Sequence, residues 1–165
     1  MKEAIRVVLV DDQELYREGN ALLLDATDDI VVVGEADTGE EALHAIAEAK
    51  PDIVLMDIRM PGMGGIDATR RIVSAHPDIR VIALTIFDLD EYAFGALDAG
   101  ASAFILKSSS PEALIRTVRI VASGEAVVEP RITRQLIDMY TRRIIPMPET
   151  DSEKEEPRRD IDSLS

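Results

Sequence analysis

The sequence lacks three features that would assign it to other classes of protein: cysteine, an excess of basic residues and a long apolar run. Its 165 residues include no cysteine, which excludes disulfides and thiolate metal sites. Lysine and arginine number 18 against 32 acidic residues, so the net charge is -14. This balance argues against direct nucleic-acid binding by this chain, because phosphate contacts need clustered basic side chains.

No apolar run approaches the ~20 residues that a membrane-spanning helix needs. Near the N-terminus, Glu3 and Arg6 lie among the apolar residues, which is not the pattern of a secretory signal. We therefore expect a soluble, cytoplasmic protein with no membrane partner. The length fits one domain with an appendage, and a domain of this size can bury a core.

Apolar runs and helical patterns alternate five times along the chain. The predicted strands cover residues 5–10, 30–34, 53–56, 79–84 and 102–106. Strands that are apolar throughout are typical of burial on both faces, which indicates a parallel sheet covered by helices. Right-handed crossovers leave few topologies, and we predict an α/β fold, a flavodoxin-like (βα)5 three-layer sandwich with strand order 2-1-3-4-5.

Local signals mark where the helices begin and which faces they bury. Thr38 and Glu41 have the spacing of a capping box, Ser110 followed by Pro111 is typical of a helix start, and Asp88 can cap the fourth helix. Apolar residues recur at helical spacing in the first and fifth helices. They are Leu15, Leu22, Leu23 and Ala26 in the first, and Leu114, Ile115, Val118, Val121 and Ala122 in the fifth.

The character of the sequence changes after Gly124. Residues 130–145 can form one more helix, and the residues that follow are polar, acidic and contain three prolines, which is typical of a flexible linker. We therefore assign residues 1–128 to one domain, 129–145 to a linker helix and 146–165 to an acidic flexible linker.

Each side chain that could carry chemistry lies at the end of a predicted strand. Asp11 and Asp12 follow the first strand, Asp57 the third, Thr85 the fourth and Lys107 the fifth. The first and third strands are neighbours in the order 2-1-3-4-5, so the three carboxylates should converge at the carboxyl edge of the sheet. Because three anionic groups repel one another, either one is protonated or a cation lies among them. Oxygen-only ligands favour a hard ion, Mg²⁺ first and Mn²⁺ second.

Thr85 and Lys107 bring a hydroxyl and an ammonium to the same edge, and both groups match phosphoryl oxygens. We therefore predict phosphoryl transfer to a carboxylate, since an acyl phosphate is a known covalent product of aspartate. In such a reaction the protein chiefly positions groups and neutralises charge. Mg²⁺ would bridge Asp12, Asp57 and one phosphoryl oxygen, while Lys107 and Thr85 would hold the other two.

Taken together, these motifs resemble the response-regulator receiver domain of two-component signalling over roughly residues 4–128. They are Asp11-Asp12, Asp57 followed by Ile-Arg-Met-Pro-Gly, Ala83-Leu84-Thr85, Ala99-Gly100-Ala101 and Phe104-Ile105-Leu106-Lys107. Two further stretches are similar to the NarL/FixJ (LuxR-type) subgroup in particular. These are Ser110-Pro111-Glu112-Ala113-Leu114 and Ser123-Gly124-Glu125.

The resemblance implies a role for each residue of the acidic cluster. Asp57 would be the phosphoacceptor, receiving the group from a phosphohistidine of a sensor histidine kinase. Asp12 would bind Mg²⁺ directly, Asp11 through water, and the main-chain carbonyl of Arg59 would be the third protein ligand. The chain would take part in phosphotransfer and self-dephosphorylation without being a turnover enzyme.

The resemblance also implies a switch and a set of partners. Thr85 and Phe104 occupy the positions of the family's switch pair, in which the hydroxyl turns towards the phosphoryl group and the ring moves inward. Phosphorylation would bias a two-state domain and favour a homodimer. LuxR-type members carry a helix-turn-helix domain after such a linker, and this chain ends before one, so we expect DNA contact only through an output domain absent from it.

Three residues depart from the family's pattern, and two other functions stay open. Ile86 stands where a small residue is usual, Phe104 replaces the commoner Tyr, and Ser108 follows Lys107 where many receivers have Pro. The main alternative is a degenerate receiver that is never phosphorylated and serves as a protein interaction module. A flavin-binding flavodoxin-like protein is less favoured, because Asp11-Asp12 would repel the flavin phosphate. Taken singly, Phe104 could also be simply a core residue.

Overall fold

A computed structural model describes residues 3–86, 91–124 and 127–128, and for residues 91–94 and 127–128 it describes the backbone alone. Strands and helices alternate along this part of the chain. The strands are β1 (Ile5–Val10), β2 (Ile30–Ala36), β3 (Ile53–Asp57), β4 (Arg80–Thr85), β5 (Ala103–Leu106) and β6 (Val127–Val128). The helices are α1 (Glu14–Asp25), α2 (Gly39–Ala49), α3 (Gly64–Ala75), α4 (Glu91–Asp98) and α5 (Pro111–Ala122).

The strands form one parallel sheet in the order β2-β1-β3-β4-β5-β6. The predicted order 2-1-3-4-5 is therefore confirmed for the first five strands. The short strand β6 was not predicted, and it adds to the edge by pairing Ala103 with Val127 and Phe104 with Val128. Two residues are too few to show a periodicity, so a sequence pattern could not reveal this strand.

The predicted helix starts at α2 and α5 are confirmed. The Thr38 hydroxyl accepts a hydrogen bond of 3.0 Å from the backbone N–H of Glu41. The Ser110 hydroxyl accepts one of 3.1 Å from Ala113, with Pro111 in the first helical position. Each bond satisfies a donor that the first turn of a helix would otherwise leave unpaired. The proposed cap at Asp88, the linker helix at 129–145 and the linker at 146–165 lie outside the described residues.

Two buried clusters cover the two faces of the sheet, as the apolar strands predict. On one face, residues of β1, β3, β4 and β5 pack against Leu24 of α1 and against Val118 and Val121 of α5. On the other face, alternate residues of the strands pack against Ile46 of α2 and Ile72 of α3. The three-layer sandwich is therefore confirmed. Among the described helices, none has the length and apolar character that a bilayer crossing requires.

The face that α1 turns towards the sheet differs from the one its apolar spacing indicates. Leu15 is 87% exposed and Leu22 is 76% exposed, whereas Leu24 is completely buried. The reason is that α1 carries apolar residues on more than one face and buries the face that carries Leu24, with Tyr16 and Leu23 packed against the same buried cluster. The Arg17 guanidinium donates to the backbone carbonyl of Asp11 at 2.6 Å and to the Glu35 carboxylate at 3.0 Å.

A smaller correction concerns α5. Ala122 was expected within its buried stripe, but it is exposed at the last helical position. Thr117 is buried instead, and its hydroxyl donates a hydrogen bond of 2.8 Å to the Ala113 carbonyl, one turn earlier. A buried threonine is acceptable in a helix when the helix itself supplies the acceptor.

Candidate functional site

The carboxyl ends of the four central strands bring the chemically active residues to one edge of the sheet. The backbone N–H of Asp11 extends the pairing of β1 with β2 by donating to the Ala36 carbonyl at 3.0 Å. Asp57 is the last residue of β3 and pairs with Leu84, so Thr85 lies one residue further along the neighbouring strand. The backbone N–H of Lys107 donates to the Thr85 carbonyl at 2.6 Å, which holds the end of β5 beside β4.

The turn after Asp57 brings helix α3 very close to the end of β3. Gly62 and Gly64 have φ angles of 78° and 77°, a left-handed conformation that favours glycine. At Gly65 a side chain would collide with the Asp57 carbonyl oxygen and with the Ile58 backbone. The chain therefore follows a tight path here, and this path leaves the Asp57 carboxylate at the rim.

Three carboxylates meet at this rim. Asp11, Asp12 and Asp57 each offer an oxygen atom, and these atoms all lie within 4.8 Å of one another. Asp11 is 2% exposed and Asp57 is 4% exposed, whereas Asp12 is open to solvent. The pocket is thus acidic and mostly buried, with access from the side of Asp12.

A single ammonium group lies beside the two buried carboxylates. The Lys107 Nζ atom is 2.7 Å from Asp11 Oδ2 and 3.4 Å from Asp57 Oδ2. The other oxygens of these carboxylates accept backbone hydrogen bonds: Asp11 Oδ1 from Gln13 at 2.9 Å and Asp57 Oδ1 from Arg59 at 3.1 Å. With three carboxylates and one ammonium, the cluster carries more negative than positive charge.

Burial raises the pKa of Asp57 from an ordinary value of 3.8 to about 7, and the negative charge of Asp11 acts in the same direction. The Arg59 N–H and the Lys107 ammonium lower this pKa again, but by a smaller amount. Without a further cation, Asp57 is therefore partly protonated near neutral pH. A cation in the pocket would favour the ionised form.

The donor set fits a hard divalent ion. Asp11 Oδ2 is buried and, within the part of the chain that the structure describes, accepts no hydrogen bond of good geometry, although the Lys107 ammonium lies near it. Its neighbours in the cluster also offer carboxylate oxygens alone, the ligand type that Mg²⁺ and Ca²⁺ prefer. The residues present can therefore hold a metal ion.

The other predicted site residues lie near this cluster or behind it. Thr85 is 1% exposed and ends β4 beside Asp57. Phe104 is also 1% exposed and lies within β5, so its ring is already inside the protein. The Ile86 side chain, which is half exposed, is turned outward, and the Lys107–Ser108 peptide bond is trans.

Two residues that the sequence analysis did not single out also contact Lys107. The Gln13 side-chain oxygen lies 2.7 Å from Nζ, and the centroid of the Tyr16 ring lies 4.7 Å from it. A signal for them existed in the sequence. Gln13 directly follows Asp12 and caps α1, and Tyr16 lies in the first turn of that helix, so both are close to the acids in sequence.

An acidic pocket with one lysine, at the carboxyl edge of a 2-1-3-4-5 parallel sheet, defines a receiver domain of two-component response regulators. Residues 7–119 match the response regulator receiver domain family, and the chain belongs to that family.

Individual relatives agree with this assignment. The chain is 42% identical over 132 residues to the response regulator GacA of Pseudomonas viridiflava, covering 80% of this chain and 62% of that protein. A LuxR-family two-component response regulator from Aurantimonas sp. superposes with a TM-score of 0.78 at 34% identity, covering 84% of this chain and 99% of that one. The receiver domain of the putative response regulator NarL from Mycobacterium tuberculosis gives 0.72 at 37% identity, covering 75% and 100%. The chain spans less than two thirds of the length of the GacA proteins it matches.

Proposed function

We propose that the chain receives a phosphoryl group on Asp57 from a phosphohistidine of a sensor histidine kinase. The observation that carries this proposal is the position of the Lys107 ammonium, 2.7 Å from Asp11 and 3.4 Å from Asp57 in the same acidic pocket. A cation poised between two buried carboxylates can exchange one of them for a phosphoryl oxygen. The transferred group then stays charge-compensated in a site that excludes most water.

The chemical step needs the ionised form of Asp57. One carboxylate oxygen attacks the phosphorus atom, and the bond from phosphorus to the imidazole nitrogen breaks as the new phosphorus–oxygen bond forms. The electron pair returns to the imidazole nitrogen, which takes up a proton from solvent. Hydrolysis of the resulting acyl phosphate restores Asp57 and releases inorganic phosphate, so the chain is a phosphoacceptor and not a turnover enzyme.

A divalent ion, Mg²⁺ or else Mn²⁺, completes this proposal. Asp11, Asp12, Asp57 and the main-chain carbonyl of Arg59 would hold it. When bound, it would neutralise charge on the carboxylates and on the transferred group. The protein's own contribution is to keep Asp57 ionised and aligned, through the Arg59 N–H bond to Oδ1 and the Lys107 ammonium near Oδ2.

The response to phosphorylation would pass through Thr85 and Phe104. Thr85 lies next to Asp57 at the end of β4, and Phe104 lies on β5, where its backbone pairs with Ala83 two residues before Thr85. A hydroxyl that turns towards the phosphoryl group changes the packing around the Phe104 ring, which is already buried. This couples the pocket to the face formed by α4, β5 and α5.

In the whole protein, we propose that this response controls transcription through a DNA-binding domain outside this chain, with phosphorylation favouring a homodimer. Support comes from relatives such as the transcriptional regulatory protein DegU of Brevibacillus brevis, which is 38% identical over 140 residues. The assembly is checked by light scattering with and without phosphodonor, where a rise in molar mass on phosphorylation is expected.

Intact-mass spectrometry tests the central claim. The protein is incubated with acetyl phosphate and Mg²⁺, and a mass gain of one phosphoryl group is expected. Asp57→Ala should abolish the gain, whereas Asp67→Ala, at an exposed carboxylate on α3, is the matched control and should retain it. If the wild-type protein gained no mass, the chain would instead be a receiver that acts only as an interaction module.

A further inference from the structure

The Lys107 ammonium has two neighbours besides the carboxylates. It lies 2.7 Å from the Gln13 side-chain oxygen and 4.7 Å from the centroid of the Tyr16 ring. The Lys107 side chain is only 8% exposed, so these contacts and the two carboxylates account for most of its surroundings. Neither Gln13 nor Tyr16 carries a charge that could replace the acids.

Gln13 is the N-cap residue of α1 and Tyr16 lies in its first turn, and this end of the helix is hydrogen-bonded to Asp11. The backbone N–H of Gln13 donates to Asp11 Oδ1 at 2.9 Å, and Arg17 donates to the Asp11 carbonyl at 2.6 Å. The side-chain oxygen of Gln13 and the ring of Tyr16 both lie beside the Lys107 amine. The start of α1 thus presents an amide oxygen and an aromatic face to the amine as one rigid unit.

These contacts suit a lysine whose ammonium must exchange a carboxylate for a phosphoryl oxygen. An ammonium has three N–H donors, and the Asp11 carboxylate, the Asp57 carboxylate and the Gln13 oxygen lie within reach of them. Burial raises the pKa of Tyr16, so its ring stays neutral and offers the amine a π face. Neutral partners orient the ammonium without cancelling its charge, and the charge remains available to an arriving phosphoryl group.

We propose that Gln13 and Tyr16 are positioning residues for Lys107, and that they determine how fast Asp57 gains its phosphoryl group. This inference rests on the proposed function for its kinetic part. Without the amide and the ring, the amine settles against the carboxylates. It must then be withdrawn from Asp57 before transfer can occur. A carboxylate at position 13 would have a stronger effect, because it would compete directly with the phosphoryl oxygens for the ammonium.

The test compares five variants with the wild-type protein in their reaction with acetyl phosphate and Mg²⁺. Gln13→Ala is expected to slow phosphorylation ~10-fold, as for loss of one hydrogen bond to a charged group, and Gln13→Glu should slow it further. Tyr16→Leu should slow it ~3-fold, as for loss of a cation–π contact, while Tyr16→Phe keeps the ring and should restore the wild-type rate. Leu15→Ala, on the same turn but 87% exposed, is the control and should leave the rate unchanged.

Two further measurements separate positioning from a general structural role. Mg²⁺ affinity should stay the same in the four variants other than Gln13→Glu, because none of the substituted residues is a proposed ligand and these four changes leave the charge of the pocket unaltered. In ¹⁵N NMR of the lysine side chains, the Lys107 signal should shift and broaden in Gln13→Ala and Tyr16→Leu but not in Tyr16→Phe or Leu15→Ala. Thermal melts show whether Tyr16→Leu is folded, and Gln13 is exposed, so its variants should fold normally.

Each result has a definite meaning. Slower transfer together with a changed Lys107 signal supports the proposal. Unchanged rates in Gln13→Ala and Gln13→Glu, or a Lys107 signal that none of the variants alters, would overturn it. If even the wild-type protein takes up no phosphoryl group, the proposed function fails, and the NMR signal alone then decides whether Gln13 and Tyr16 fix the amine.

Discussion

Two cation–carboxylate contacts in this chain have similar distances and opposite surroundings. In the pocket, Lys107 lies 2.7 Å from Asp11, and the two side chains are 8% and 3% exposed. On the surface, Arg119 of α5 makes two hydrogen bonds of 2.9 Å to Asp29, with side chains that are 51% and 40% exposed. The surface contact has the better geometry, because the guanidinium donates through two nitrogen atoms at once.

Distance alone does not decide how an ion pair affects stability and pKa. Around Arg119 and Asp29, water screens both charges, so the contact joins α5 to the turn before β2 at little energetic cost or gain. Around Lys107, low exposure prevents screening, and burial, together with the negative charge of Asp11, raises the pKa of Asp57 to about 7. The buried contact therefore lies in uncompensated negative charge that a bound ligand can neutralise, whereas the exposed contact does not.

The largest expected change in stability comes from removing the charge of the Asp57 carboxylate. Because the pKa of Asp57 is about 7 in the folded protein against 3.8 ordinarily, the folded state holds a proton that the unfolded state has already released between these pH values. Stability should therefore fall as pH rises from about 4 to about 7. Asp57→Asn should remove this fall and stabilise the protein at pH 8 by up to ~4 kcal/mol.

Urea unfolding in EDTA at pH 4 and pH 8 measures this difference. The wild-type protein and Asp57→Asn should unfold at similar urea concentrations at pH 4 and separate at pH 8. Equal stability of the two proteins at pH 8 would show that the carboxylate is not strained, and the contrast between pocket and surface would then disappear.

The second effect comes from removing the cation. Lys107→Ala leaves the buried Asp11 and Asp57 carboxylates without their ammonium, and breaking such a contact costs ~3 kcal/mol when no other cation is present. Mg²⁺ should still bind and should recover part of this loss, whereas the structural change on phosphorylation should be largely lost. Melting curves with Mg²⁺ and with EDTA measure the first two outcomes, and NMR shifts measure the third. A variant that switches normally would contradict the role given to Lys107.

The smallest change in stability should come from breaking the exposed contact between Arg119 and Asp29. Arg119→Ala removes both hydrogen bonds to Asp29, yet the melting temperature should change by an amount close to the limit of detection, and any change should vanish at high salt. If Arg119→Ala lowered the stability as much as Lys107→Ala does, hydrogen-bond geometry would matter more than burial for the strength of an ion pair. Asp29→Ala is the matching variant and should behave in the same way.

The sequence predicts the parts of the fold that depend on local patterns. Five apolar strands and two helix caps follow from residue type and spacing, and all are present. The convergence of Asp11, Asp12, Asp57 and Lys107 was predicted because residues at the carboxyl ends of parallel strands must share an edge. No three-dimensional information beyond strand order was needed for it.

Features that depend on packing between distant residues were not predicted. Arg119 and Asp29 are far apart in sequence, and no local pattern joins them. The orientation of α1, which leaves Leu15 and Leu22 exposed, goes with the packing of Leu24 against strand residues that are distant in sequence. The sequence places Gln13 and Tyr16 close to Asp11 and Asp12, but Lys107 is distant in sequence, so their contacts with it follow only from the packing of α1.

The close approach at Gly65 gives the turn after Asp57 an unusual mutational sensitivity. A single methyl group there would push α3 away from β3, because it would collide with the Asp57 carbonyl oxygen and the Ile58 backbone. This collision would move the main chain that carries the proposed phosphoacceptor, Asp57, without altering any charge. In a saturation scan, this uncharged position should therefore tolerate replacement as poorly as the aspartates do.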